Sequence, residues 1–438
     1  MCGTARPNKG GGFARRKRAL TSGPGLALMR RSKCCRIAVE KAEPILEPLP
    51  YHVEVRDYLK SRERDLWTWF ASARAQADYT ENLRLNLLKS TYRLTAESHP
   101  DLYQGVEETK ARLRLDIPVT VYQAHTTLEP NAVLYFIPGQ GHVVFTGPLL
   151  ALLQPEELKS VLGHELAHYH LWQWGHGELH VADRLLQAAA TDPRAAASHE
   201  QTARLFQLYT EIYADRGSLG VTGDAHPAVA SLVKIHTGLS QVSAAAYLKQ
   251  AEEIFAQDQA ATEGLSHPEV FIRARALSLW QQQPQDAYAQ ITRMIEGPRA
   301  LDELDLIGQD RLTRHTRRLL EHFLQPKWLQ TPAVLGHAKL FFDDFQPASA
   351  PDPSALDPFR SADPKLREYL CFLLLDFATA DPELDDVPLA AALELSRQLE
   401  CDSEFEKLAA RELKRKIRDV RKLAEQAAEL VAKAEASG

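Results

Sequence analysis

The segment His164-Glu165-Leu166-Ala167-His168 concentrates metal-binding and proton-transfer chemistry in five positions. Four residues along an α-helix advance about 400°, so the two imidazoles point nearly the same way. Two neutral imidazole nitrogens on one helix face can grip one Zn²⁺. Glu165, beside His164, can face a metal-bound water from the side and is the candidate general base. A catalytic zinc centre takes three protein ligands and keeps one open position. Glu211, 43 residues after His168, completes a set of two histidines and one carboxylate. Asp215 lies one helical turn beyond Glu211, where it can accept a hydrogen bond from the outer nitrogen of a ligating histidine and fix its tautomer. Both carboxylates share a stripe with Leu205 and Leu208, so they are expected to be buried and to need partners. The metzincin arrangement is excluded, because the glycine and histidine it requires are replaced by Leu171 and Trp174. His170, His176 and His180 are surplus and read as surface or supporting residues.

These side chains need two long helices. Pro155, with Glu156 and Glu157 behind it, suits a helix start, and the pattern predicts a helix to about Trp174 that stops near Gly175. A second helix is predicted over Glu200–Ser218. Ahead of them, Pro118–Tyr122, Val133–Ile137 and His142–Thr146 read as strands, the last two joined as a hairpin across Pro138–Gly141. His142–Thr146 is read as a strand whose open edge could hold an extended peptide. Residues 51–115 and 226–345 follow helical periodicity, so the expected class is α+β, mainly α, with a small antiparallel sheet.

The chain has 438 residues, 45% hydrophobic and 25% charged, which fits a folded chain of two to four domains and excludes dominant disorder. No apolar run approaches the ~18 residues needed to span a bilayer. Five cysteines (Cys2, Cys34, Cys35, Cys371 and Cys401) form no C-x-x-C pair. That argues against a disulfide framework or a thiolate zinc site and for a reducing, cytoplasmic setting. The net charge of −6 hides an asymmetry: residues 1–39 hold ten Lys/Arg and no acid, leaving 42 basic and 58 acidic residues behind them. Residues 1–50 are read as a basic, disordered extension, and peripheral membrane contact through residues 1–39 is the alternative to a purely cytoplasmic location. Met29 offers an alternative translation start to Met1. Behind a core domain at 51–280 the sequence suggests a helical extension at 281–345, a Pro-rich linker at 346–364 and a helical module at 365–438.

His164–His168, Glu211–Asp215 and Ser266-His267-Pro268…Arg273 stand in the order found in the HtpX-like and CAAX-prenyl-endopeptidase family of zinc metallopeptidases, which the chain resembles over residues 60–280. Asn131-Ala132 and His142–Leu150 resemble the strand and turn that precede the zinc helix there. The resemblance implies a gluzincin fold and one Zn²⁺ held by His164, His168 and Glu211. It makes Glu165 the catalytic base and Asp215 a supporting residue. It also makes His267 and Arg273 candidate catalytic groups that stabilise the tetrahedral oxyanion. The expected activity is zinc-dependent endoproteolysis of a protein or peptide, with no nucleic-acid partner. The alternative is a catalytically silent, zinc-stabilised scaffold that binds partners. Tyr369–Asp386 resembles the tellurite-resistance TerB-like helical domain, and Asp376, Asp381, Glu383, Asp385 and Asp386 read as caps and a solvated acidic turn or as a hard-cation site. Leu413, Ile417, Val420, Ala424, Ala427 and Val431 form a short heptad seam, read as packing on that module or as a homodimer contact.

Overall fold

The computed structural model describes residues 46–124, 129–257, 261–297, 300–349, 356–360 and 364–437. The basic segment 1–39, its membrane contact and the alternative start at Met29 lie outside the described residues. The packed chain starts before residue 50, because Leu46 and Leu49 are buried in the core.

Helices α1 (Pro50–Arg62), α2 (Arg64–Phe70) and α3 (Ala73–Ser90) lead into strand β1 (Thr91–Arg93) and helix α4 (Pro100–Leu113). Strands β2 (Val119–Ala124), β3 (Asn131–Ile137) and β4 (Gln140–Thr146) come next. The β3–β4 hairpin forms as expected: Ile137 pairs with Gln140 across Pro138-Gly139, and Gly139 takes φ 79°, the left-handed value that a two-residue Pro-Gly turn needs.

The sheet is mixed, not antiparallel. Its order is β1-β2-β4-β3, with β2 and β4 parallel and the other pairs antiparallel. Gly141 through Phe145 are all buried, so β4 has apolar neighbours on both faces and takes an interior place. The open edge beside the site is therefore β3, not the His142–Thr146 strand expected to provide it.

After the short helix α5 (Leu149–Leu152) comes α6 (Pro155–Thr191). The Gln154 N–H donates to Glu157 Oε2 at 2.8 Å and secures its start. This helix is broken where expected. Gly175, His176 and Gly177 take φ of 61°, 61° and 90° in succession, ending one helix and redirecting the next. Helix α7 (Ala197–Thr222) runs back against α6 and ends at Gly223, again left-handed. The two approach closely because glycines face each other: a Cβ on Gly217 would lie 2.3 Å from Ala167 Cβ, and one on Gly163 would lie 3.1 Å from Ser218 Cα. Gly217→Ala is therefore expected to destabilise the chain by about 3 kcal/mol in urea unfolding, since neither helix backbone can yield without parting the pair.

Helices α8 (Ala225–Thr237), α9 (Ala244–Gln257), α10 (Val270–Gln282) and α11 (Pro284–Glu296) pack around this pair. Helix α12 (Leu306–Phe323) starts at Asp305, whose carboxylate accepts from the N–H groups of Ile307 and Gly308 and from the Tyr51 hydroxyl. Then come α13 (Pro332–Phe341), α14 (Asp357–Arg360), α15 (Pro364–Ala378), α16 (Val387–Gln398), α17 (Asp402–Glu412) and α18 (Ile417–Ser437).

Two large cores divide the chain within α12. Leu306 and Ile307 belong to the core of the sheet and α6–α7, whereas Leu319, Leu320 and Phe323 belong with α13 and α15–α18. The segment read as a linker contributes Leu356 and Phe359 to the second core. Of the heptad seam, Val420, Ala424 and Ala427 are buried as α18 packs on α16, while Ile417 is 37% exposed. In the acidic turn Asp386 pairs bidentately with Arg415, Asp376 with His337, and Asp381 caps Glu383 N–H. Among the described residues no helix is long and apolar enough to cross a membrane.

Candidate metal centre and active site

Helix α6 carries His164, Glu165 and His168 on the turn that faces α7, and α7 presents Glu211 and Asp215 to them. The helical spacing brings the two histidines together as expected: their Nε2 atoms are 3.2 Å apart. Glu211 Oε2 lies 3.4 Å from His164 Nε2, and Oε1 lies 3.6 Å from His168 Nε2. Tetrahedral zinc with bonds of about 2.0–2.1 Å needs ligand atoms about 3.3 Å apart. The observed separations match that spacing. Glu211 Oε2 is buried and turned to the point where the three side chains converge, 3.4 Å from both His164 Nε2 and Arg273 Nη1.

The surrounding charges favour a cation there. Burial opposes a charge on His164, but hydrogen bonds with Asp215 and Glu211 outweigh it and raise its pKa to about 10. Burial, reinforced by the neighbouring His164, lowers His168 to about 3. Burial works against the Glu211 carboxylate too, yet His164 and Arg273 hold its pKa far below the ordinary value. The two carboxylates, Glu211 and Asp215, thus draw two cationic partners, His164 and the Arg273 guanidinium.

Behind His164, its Nδ1 lies 3.1 Å from Asp215 Oδ1. Arg273, on α10, donates from Nε to Asp215 Oδ2 at 2.8 Å and from Nη2 to Oδ1 at 2.6 Å, with Nη1 3.4 Å from Glu211 Oε2. This guanidinium is buried against the two carboxylates and also lines the cleft. His267, in the turn before α10, differs: its side chain is 61% exposed and its Nε2 lies 3.6 Å from Glu211 Oε1. A Cβ at Gly264 would fall 2.0 Å from the His267 carbonyl oxygen, so this turn depends on glycine.

Glu165 is buried on the opposite side, where its carboxyl accepts the Leu134 N–H of β3. Burial raises its pKa to about 7, against the lowering influence of His164 and of that N–H. A carboxyl poised there can exchange a proton in both directions near neutral pH.

Residues 96–281 match the model of peptidase family M48. An 88-residue stretch is 39% identical to "Protease HtpX homolog 2" of Sulfurisphaera tokodaii, covering 19% of this chain and 26% of that protein. Residues 96–281 are a peptidase family M48 domain. The chain spans about a quarter of the length of the curated relative it matches, and no solved structure matches it.

In the M48 domain the ligand cluster sits in a cleft of about 360 Å³ between β3, α6, α7 and α8. The surplus histidines stand aside from the cluster: His170 Nδ1 is 2.7 Å from the Tyr213 hydroxyl, and His180 packs on Phe136. Two contributors escape the sequence reading. The Leu134 N–H is a backbone group with no residue signature. Asp183 reaches the cleft only because the chain turns at Gly175–Gly177.

Proposed function

We propose that the chain is a zinc-dependent metalloendopeptidase with His164, His168 and Glu211 as metal ligands and Glu165 as general base. The convergence of these three ligand atoms within 4.8 Å of one another, beside a buried glutamate in an open cleft, is the observation that carries this reading. Zinc held there would supply Lewis acidity, polarising the scissile carbonyl and acidifying a water. Glu165 takes the proton of the attacking water and delivers it to the leaving amine. Asp215 fixes the His164 tautomer that leaves Nε2 free to coordinate, and Arg273 holds Asp215 in place. His267, at the cleft mouth, donates to the developing oxyanion. The open edge of β3 aligns the peptide backbone by β-strand addition, which recognises main chain rather than particular side chains.

Metal analysis and a casein-cleavage assay test this together. One zinc per chain is expected, with cleavage abolished by 1,10-phenanthroline and restored by added zinc. Undiminished cleavage by the metal-free chain would overturn the proposal.

A further inference from the structure

The two ends of the cleft differ in chemistry. Towards α8 it is walled by Val161, Leu232 and Ile235; past His168 it is walled by Trp172, Asp183 and Gln207. Asp183 belongs to the second half of α6, which the break at Gly175–Gly177 redirects. Its Oδ1 accepts a 2.7 Å hydrogen bond from the neutral Gln207 amide. Its sequence neighbour Arg184 sets its guanidinium over the Phe70 ring, 5.5 Å from the centroid, and is the weakest influence on the carboxylate. Burial raises the Asp183 pKa to about 7, with the Gln187 and Gln207 amides and Arg184 lowering it, so the carboxylate would gain from a further positive charge. An ammonium or guanidinium placed against it would supply that charge, and Trp172 borders the same end of the cleft.

We propose that this end of the cleft is a subsite for a lysine or arginine side chain of the peptide substrate, with Asp183 as its specificity-determining carboxylate. The assignment rests on the zinc-peptidase reading of the same cleft. A peptide added antiparallel to β3 passes its amino-terminal part along the Phe136 half of the strand. Phe136 contacts Tyr169 and His180 there, so the basic residue falls on the amino-terminal side of the scissile bond.

Mapping cut sites in a proteome-derived peptide library by mass spectrometry tests it, using the full zinc-loaded chain with the E165Q protein as background control. Wild type is expected to enrich Lys and Arg at one position amino-terminal to the cut by about tenfold. D183N should lose that enrichment, and D183K should shift it towards Asp and Glu. That reversal would not arise from a merely structural role. Wild-type cutting without enrichment for basic residues overturns the subsite and leaves the peptidase reading intact, whatever the folding of the variants. Cut sites no more frequent than in the E165Q control overturn the peptidase reading and the subsite with it.

Discussion

Glu165→Gln is expected to reduce peptide hydrolysis by about 10³-fold while the chain still binds one zinc, a loss of the size typical for a positioned proton-transfer group. The glutamine amide has nearly the shape of the carboxyl and still presents an oxygen to the Leu134 N–H, so the local packing is kept. It has no proton acceptor of the right basicity, so the attacking water keeps its proton and the leaving amine receives none. The metal ligands are untouched: His164, His168 and Glu211 occupy the facing sides of α6 and α7, and none depends on the Glu165 carboxyl for its position. Zinc content by elemental analysis and turnover of a fluorogenic peptide separate the two effects. Wild-type turnover by Glu165→Gln would remove it as general base.

Arg273→Met carries the largest expected stability effect. Asp215 is 2% exposed and Glu211 6%, and the Arg273 guanidinium is the buried cation facing both. Removing one partner of a buried ion pair leaves an uncompensated charge and costs about 3–5 kcal/mol. Methionine fills much of the volume, so the loss reports charge and hydrogen bonding more than a cavity. Urea unfolding of the chelator-treated protein should show the full loss. Saturating zinc should recover part of it, because a cation between His164, His168 and Glu211 partly replaces the missing positive charge. An equal loss with and without zinc would show that the guanidinium and the metal do not share the same carboxylates.

The helices of this site are legible in the sequence because their spacing is. His164 and His168, then Glu211 and Asp215, are pairs four residues apart on amphipathic stretches, and each pair lands on the face its period dictates. Gly175 likewise marks the break in α6. The direction taken by the second half of α6 is not legible, since it depends on three left-handed residues acting together. That is why Asp183 stands outside the reading of the site from sequence. Strand order is a tertiary property, and the hairpin signal around Pro138-Gly139 says nothing about which partner lies beyond it. The apolar run Val143–Phe145 was the available clue to an interior strand. The Pro-rich stretch 346–364 conceals Leu356 and Phe359 among linker-like residues, and their burial depends on a core built from sequence-distant helices.

Helix α12 has a consequence for how the molecule melts. One end is anchored at Asp305 to Tyr51, which stacks on Tyr209 two residues before Glu211. The other carries Leu319, Leu320 and Phe323 into the C-terminal core, and Thr316 meets the Tyr369 hydroxyl on α15 at 2.8 Å. A continuous helix cannot lose its packing at one end without fraying towards the other, because each hydrogen-bonded turn supports the next. The core around the sheet and the C-terminal core are thereby linked through α12, so loss of order in one would be felt along that helix by the other.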